Sequence, residues 1–256
     1  MMRRGILEEC RDRLRELAAR HNLDRAEVAV TAQPLTPEEA IGRPSRRDYP
    51  ILEGKERVIE AAVLGARGQA FTDAPSNFSG QLRDVLALPL DNTRNRAVFL
   101  ATMNAVMRSL GEIGGVLHCK DEEPERCAAG MARAARAKGA RGVGLIGFNP
   151  AIAEALADEF GPGAVCITDL NPRNTGQCRF GVTIWDGRRE TGRLIAACDL
   201  ILVTGTALVN GTFDAIEKPA RAHNKPLVVF GITAAAVCRF MALERWCAQA
   251  RDESTH

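Results

Sequence analysis

Val143-Gly144-Leu145-Ile146-Gly147, Ala164-Val165-Cys166-Ile167-Thr168, Leu200-Ile201-Leu202-Val203-Thr204 and Leu227-Val228-Val229-Phe230-Gly231 are four short apolar runs in the second half of the chain. None alternates apolar with polar residues, the pattern of a strand covered on both faces. Helical stretches follow at Pro150 to Phe160, around Thr212 to His223 and at Ala234 to Cys247. Between the second and third runs lie Val182 to Trp185, an extended piece, and a helix near Thr191 to Ala197. Strands alternating with helices predict a parallel sheet with right-handed crossovers. Residues 121–256 therefore read as a Rossmann-like α/β domain.

Upstream the texture differs. Ile6, Cys10, Leu14 and Leu17 recur at helical spacing over residues 5–21, an amphipathic helix. Val28 to Thr31 reads as a strand and Pro34 to Pro50 as a loop. Glu53 to Leu64 reads as a helix stopped by Gly65-Ala66-Arg67-Gly68. Gln69 to Gly80 is small, polar and turn-forming; Arg94 to Leu110 is a helix ended by Gly111. Val116 to Cys119 is extended, and Glu122 to Lys138 turns helical again. Residues 1–120 are thus expected to form a separate α+β unit, with the boundary near residue 120.

Composition narrows the function classes. The 256 residues carry 34 Lys+Arg against 32 Asp+Glu, a net charge of +2, which gives no electrostatic case for nucleic acid or an anionic membrane. Aromatic residues are 5% of the chain, too few for base-stacking platforms. No apolar run approaches the ~20 residues of a bilayer span, and the N-terminus lacks the apolar stretch of a secretory signal. The expectation is a cytoplasmic protein whose eight cysteines are reduced thiols, some of them available to metal.

In open α/β sheets ligands bind beyond the carboxyl ends of the strands, where strand order reverses. The residues following the four runs are Gly147-Phe148-Asn149-Pro150, Asp169-Leu170-Asn171-Pro172, Gly205-Thr206-Ala207-Leu208-Val209-Asn210-Gly211-Thr212 and Ile232-Thr233. Such residues also make ordinary turns and helix caps. Four loops of Gly, Thr, Asn and Asp at one sheet edge nevertheless predict a pocket. The spacing Gly142, Gly144, Gly147 with Asp169 mimics a dinucleotide fingerprint, but two of its glycines fall within or before the strand rather than in the turn that would cradle pyrophosphate. No phosphate-binding Gly-x-x-x-x-Gly-Lys-Ser/Thr loop, Gly-x-Ser-x-Gly elbow or His-Glu-x-x-His helix is present.

The unusual segment is His118-Cys119-Lys120-Asp121-Glu122-Glu123-Pro124-Glu125-Arg126-Cys127. Imidazole and thiolate suit transition metals, although Cys119 and Cys127 lack zinc-finger spacing. The acidic stretch also fits the first turn of a helix, with Cys127 packing inside. For His118 and Cys119 ligation and plain packing stay open. Cys166, Cys198, Cys238 and Cys247 read as core, and Cys178 as exposed.

Gly54-Lys55-Glu56, Gly68-Gln69-Ala70-Phe71-Thr72-Asp73, Asn95-Arg96-Ala97, Asn104-Ala105-Val106, His118-Cys119-Lys120-Asp121, Asp169-Leu170-Asn171-Pro172 and Thr204-Gly205-Thr206, in this order, resemble the family described as putative heavy-metal chelation. The resemblance spans roughly residues 10 to 248. It implies an enolase-N-terminal-like α+β domain followed by the Rossmann-like domain, a ligand cleft between them, and handling of a metal or metal chelate. Phe71, Thr72, Asp73 and Asn104, with His118 and Cys119 as metal ligands, would face the cleft from the first half. Asn149, Asp169, Asn171, Gly205, Thr206, Asn210 and Thr233 would face it from the second. Lys55 is either an anion-neutralising group there or a solvated lysine.

Two functions follow. In the first, the cleft binds a transition metal or an anionic metal complex for metal homeostasis or metallocofactor assembly, with Fe, Ni, Zn and Mo equally compatible. In the second, the Rossmann-like half of an enzyme holds a nucleotide or pterin-like ligand on Asp169 and the Gly205 to Asn210 loop. A homodimer or a client metalloenzyme stands open as partner, and neither nucleic acid nor membrane is expected.

Overall fold

The computed structural model describes residues 5–31, 38, 41–49, 51 and 56–252. Among these, the strands form two sheets. The first is antiparallel, in the order β3-β2-β1-β4, built from β1 (Glu27–Thr31), β2 (Arg57–Val63), β3 (Ala66–Thr72) and β4 (Phe78–Gln81). In β1 the side chains alternate, Val28 and Val30 buried and Glu27, Ala29 and Thr31 exposed, the period-two signature of a sheet with one wet face.

The helix expected over Glu53 to Leu64 is a strand where it is described, from Arg57 onward; residues 53–55 lie outside the described residues. Val58, Ile59 and Val63 are β-branched and suit a pleated surface. What read as a helix stop is a hairpin turn. Leu64 and Gly65 both have positive φ, 51° and 78°, and join Val63 to its register partner Ala66, as a two-residue loop of that hand requires. The turn-forming segment Gln69 to Gly80 likewise holds the end of β3 and most of β4.

Three helices accompany this sheet: α1 (Ile6–Arg20), α2 (Leu82–Ala87) and α3 (Thr93–Ser109). The backbones of β3 and α3 lie so close that a Cβ at Gly68 would collide with main-chain atoms of Ala101, Asn104 and Ala105. Helix α3 is buried almost all round, including Phe99, Leu100, Met103 and Met107. A helix of this kind lies between layers. On one side is the antiparallel sheet and on the other the second half of the chain.

That second half contains β5 (Val143–Ile146), β6 (Val165–Asp169), β7 (Cys178–Arg179), β8 (Val182–Asp186), β9 (Leu200–Thr204), β10 (Leu227–Phe230) and β11 (Glu244–Trp246). Their order is β11-β10-β9-β5-β6-β8-β7, parallel except for the short β7 edge. Strands β5 and β9 are buried on both faces, as their unbroken apolar runs predict. The fold is therefore mixed α/β with one mostly parallel sheet. Helices α4 (Glu123–Ala137) and α5 (Pro150–Phe160) share a core with one sheet face; α6 (Gly187–Ala197), α7 (Thr206–Asn210), α8 (Phe213–Ala222) and α9 (Ala235–Met241) share the other core with α1, α3 and the first sheet. The helix expected through Cys247 ends at Met241, where Ala242 adopts φ 52°. The chain then adds β11 and returns to the first half, Leu117 and Arg251 exchanging main-chain hydrogen bonds of 2.9 Å.

Strand β5 fixes the site. The chain runs from β5 through β6 to β8 on one side, then crosses back to β9, β10 and β11 on the other. The reversal lies between β5 and β9, where a crevice opens at the carboxyl ends.

Candidate functional site

A cleft of about 1220 Å³ occupies that position, walled by residues from both halves of the chain. Ligand pockets commonly measure ~300–1,000 Å³, so this one is ample for a small molecule.

Its floor follows from the switch point. Gly147 leaves β5 with φ 89°, a conformation that disfavours a side chain, and a Cβ there would run into Thr204 at the end of β9. Asn149 caps α5, its Oδ1 accepting from Ile152 N–H at 3.1 Å, with Pro150 at the first helical position. Asp169 joins two loops, its Oδ2 accepting from Phe148 N–H and its Oδ1 from Asn171 N–H, both at 2.6 Å. Asn171 Oδ1 in turn accepts from Arg173 N–H at 3.0 Å. After β9, Thr204 and Thr206 hydroxyls meet at 3.0 Å, while Gly205 N–H is spent on Phe230 O. Asn210 and Thr233 complete this wall.

From the first half, Phe71, Thr72 and Asp73 at the end of β3 line the opposite wall. Phe71 N–H donates to Thr233 Oγ1 at 3.0 Å, stitching the two walls together. Thr72 Oγ1 accepts from Ala74 N–H. The Phe71 ring stands edge-on to His118, with centroids 5.0 Å apart at 71°. His118 N–H donates to Gln69 Oε1 at 2.8 Å, which fixes the extended segment carrying His118 and Cys119 beside β3. Both residues line the cleft.

Of the residues singled out in the sequence, all but two line this single cavity. Lys55 lies outside the described residues. Asn104 is used inside the fold. It is fully buried, its Nδ2 donates to Gln69 O, Ile232 O and Thr233 O at 3.0, 3.2 and 3.4 Å, and its Oδ1 accepts from Ala236 N–H at 2.9 Å. It clamps the loop after β10 onto β3 and α3 and does not reach the cleft. The fingerprint glycines behave as their position predicts. Gly144 lies within β5 against Leu194, Gly142 precedes the strand, and only Gly147 is in the turn.

Several cleft residues escaped the sequence reading. Glu56 sits where β2 begins, and no hydrogen bond or ion pair to its carboxylate forms among the described residues. Burial, with Asp169 and Asp73 nearby, raises its carboxyl to about 7. The motif Gly54-Lys55-Glu56 carried it, but of these three the sequence reading singles out only Lys55 and places Glu56 inside a helix expected over Glu53 to Leu64. Cys127 and Cys247, read as packing residues, also face the cavity. Burial pushes the Cys119 thiol well above its ordinary value, and the proximity of Cys247 and Cys127 adds to it; Cys247 is pushed up to about 11. The Cys119 and Cys247 thiols therefore hold their protons at neutral pH, and a metal ligating them would have to displace the proton. Arg173, Arg188 and Arg189 also line the cleft and supply positive charge.

The segment around Tyr49 closes one flank. Arg46 pairs with Glu125, Asp48 and Glu154, Tyr49 Oη donates to Glu125 Oε1 at 2.6 Å, and Arg179 pairs with Asp48. Because this network is only partly buried, Tyr49→Phe is expected to cost about 1 kcal/mol, one net hydrogen bond, measured by urea unfolding.

The donor set, with thiols, an imidazole and carboxylates among the lining residues, has the chemistry for a soft or borderline metal. Among the described residues, no three His, Cys, Asp or Glu side chains converge on one point that could hold an ion. The residues present therefore do not form a closed site for a bare ion.

Residues 132–243 match the model of the family described as "Putative heavy-metal chelation". A solved structure of a protein of unknown function from this family in Pyrococcus horikoshii is 15% identical, covering 90% of this chain and 80% of that one at a TM-score of 0.53. A second, from Desulfitobacterium hafniense DCB-2, is 13% identical over 72% of each chain at a TM-score of 0.44. The first likeness shows a shared fold. No curated protein matches the chain. Over residues 132–243, less than half of its length, the chain is therefore similar to the putative heavy-metal chelation family.

Proposed function

We propose that the chain binds a transition metal as a complex with a small anionic chelator, in the cleft between its two units. The observation that carries this reading is the cleft itself. About 1220 Å³ at the sheet's switch point far exceeds the space one ion fills. Its thiol, imidazole, hydroxyl and arginine groups are distributed around the walls. A complex that brings most of its own ligands needs such a wall, with hydrogen bonds and charge holding the chelator and His118 or Cys119 completing the metal's coordination. On this reading the units divide near residue 120 and correspond to enolase-N-terminal-like and Rossmann-like domains. The protein works in the cytoplasm in metal homeostasis or metallocofactor assembly, with a client metalloenzyme as recipient; no helix among the described residues is long and apolar enough to cross a membrane.

A nucleotide-dependent enzyme fits less well. Asp169, which would have to meet the ribose, already accepts two main-chain N–H groups. The two readings separate experimentally. Anaerobically purified protein, analysed for metal and by native mass spectrometry, is expected to carry one complex per chain. His118→Ala and Cys119→Ser should lower that occupancy at least tenfold, or leave the chelator bound without metal. A ligand present at a hundredfold its Kd should also add about 2.7 kcal/mol of stability. Stabilisation by nucleotides, with no metal in any preparation, would reject the proposal.

A further inference from the structure

The walls of the cleft differ in chemistry. Aromatic residues are 5% of the chain, yet its single tyrosine and three of its nine phenylalanines, Tyr49, Phe71, Phe148 and Phe230, line this one cavity. They come from four places in the fold: the segment tied to α4 by Glu125, the end of β3, the turn after β5 and the end of β10. All four pack on the same hydrophobic cluster, the one that α4 and α5 share with the parallel sheet. The carboxyl end of β9 brings hydroxyls instead. Thr204 and Thr206 share one hydrogen bond of 3.0 Å, so the pair still has one O–H to give.

The rings are held in place before any ligand arrives. Tyr49 is buried and its hydroxyl donates to Glu125 Oε1 at 2.6 Å, so its polar tip is already engaged. Phe71 is fixed by its N–H on Thr233 Oγ1 and by its edge-on contact with His118. Phe148 N–H donates to Asp169, and Arg179, itself paired with Asp48, sets its guanidinium 5.9 Å from the centre of the Phe148 ring. Preset side chains lose little freedom on binding. Ring against ring, offset or edge-on, adds an attraction that an aliphatic group of the same size does not gain. Charge is available to the same ligand: Arg189 pairs with Asp186 at 3.8 Å, whereas Arg173 and Arg188 form no ion pair among the described residues.

We infer that the cleft selects a planar aromatic ligand whose anionic oxygens are borne on the ring, an aryl carboxylate with an adjacent hydroxyl. The inference rests on the metal-complex reading for those anionic donors and names the scaffold that carries them. The ring packs among Tyr49, Phe71, Phe148 and Phe230. Its oxygens take the hydroxyls at the end of β9 and the positive charge of Arg173 and Arg188. A carboxylate and a neighbouring phenolate are also a bidentate pair for a metal, and His118, against Phe71, supplies a further donor beside the ring. An aliphatic polycarboxylate of equal charge would meet the arginines as well but would leave the four rings without a stacking partner.

Calorimetric titration of the full chain with salicylate, with its saturated twin 2-hydroxycyclohexanecarboxylate and with citrate, each alone and as the ferric complex, tests this. Salicylate should bind about fivefold tighter than the saturated acid, which matches it in size, hydroxyl and carboxylate but lacks the ring face. Phe148→Leu and Phe71→Leu keep the wall apolar and should each cut that preference to about twofold; the two variants are independent, and the comparison of ligands on the native chain stands if either fails to fold. Equal affinity for salicylate and its twin, tighter binding of citrate than of salicylate, no binding of any of the three, or an undiminished preference in both variants would overturn the inference. None of these results reaches the metal-complex reading, which the metal content of anaerobically purified protein decides separately.

Discussion

Asn104→Leu is expected to lower stability by about 4 kcal/mol, the sum of several buried polar groups losing their partners at ~1–3 kcal/mol each, less what relaxation recovers. Leucine is close to asparagine in volume, so the loss measures hydrogen bonding rather than a cavity. Ala236 N–H would lose its acceptor, and the carbonyls of Gln69, Ile232 and Thr233 would lose a donor. All four groups sit where β3, α3 and the loop after β10 meet, so the damage falls on the seam between the two halves. Urea unfolding measures it. A change under 1 kcal/mol, with ligand binding lost instead, would return Asn104 to the cleft wall, where the sequence reading had put it.

Glu56→Gln should do the reverse, stabilising the protein by about 3 kcal/mol at pH 8 and by almost nothing at pH 4. The sign follows from proton binding. The carboxyl titrates near 7 in the folded chain against 4.5 ordinarily, so between those values the folded state holds a proton that the unfolded state has released. Native stability then falls as pH rises through this window and levels off above 7, and the whole shift amounts to about 3 kcal/mol. Glutamine cannot ionise and removes the slope. Parallel urea titrations of both proteins from pH 4 to 8 check this, and equal pH dependences would contradict it. A carboxyl in a cleft whose ionisation is opposed by burial and by neighbouring carboxylates is a functional-site candidate. In this chain it faces Asp73 and Asp169, so a cation entering the cleft would both displace its proton and relieve the cost.

The parts of the fold that were legible share a physical cause. Strands such as Leu200 to Thr204 are buried on both faces, so their sequence is apolar throughout and needs no context to be recognised. The helix from Pro150 announces itself by Asn149 and Pro150, a cap and a fixed φ. The antiparallel sheet was harder to see. Ala66-Arg67-Gly68-Gln69-Ala70-Phe71-Thr72 has little strand propensity of its own and is held extended by pairing with β2 and by close approach to α3. Tertiary context overrode local preference there, as it did in β11, which took Cys247 off the expected helix.

The candidate site divides in the same way. Loop residues after parallel strands could be gathered from topology alone, since the switch-point rule depends only on strand order. Asn104 misled because a polar side chain in an apolar helix suits a ligand or an internal clamp equally, and only the partners at Gln69, Ile232 and Ala236 decide. Glu56 was missed because one of the two carboxylates that crowd it, Asp169, comes from the opposite half of the chain. The residues after β6 and β9 lie more than a hundred positions away, and no local pattern in the sequence brings them to it.

Crystals of anaerobically purified protein, measured for anomalous scattering at the edge of whichever metal co-purifies, test the central claim most directly. The predicted result is a single strong peak inside the cleft, within bonding reach of His118 or Cys119 and bordered by the loops at Asp169 and Thr206. Metal bound stoichiometrically at the protein surface, with only solvent between those loops, would contradict it.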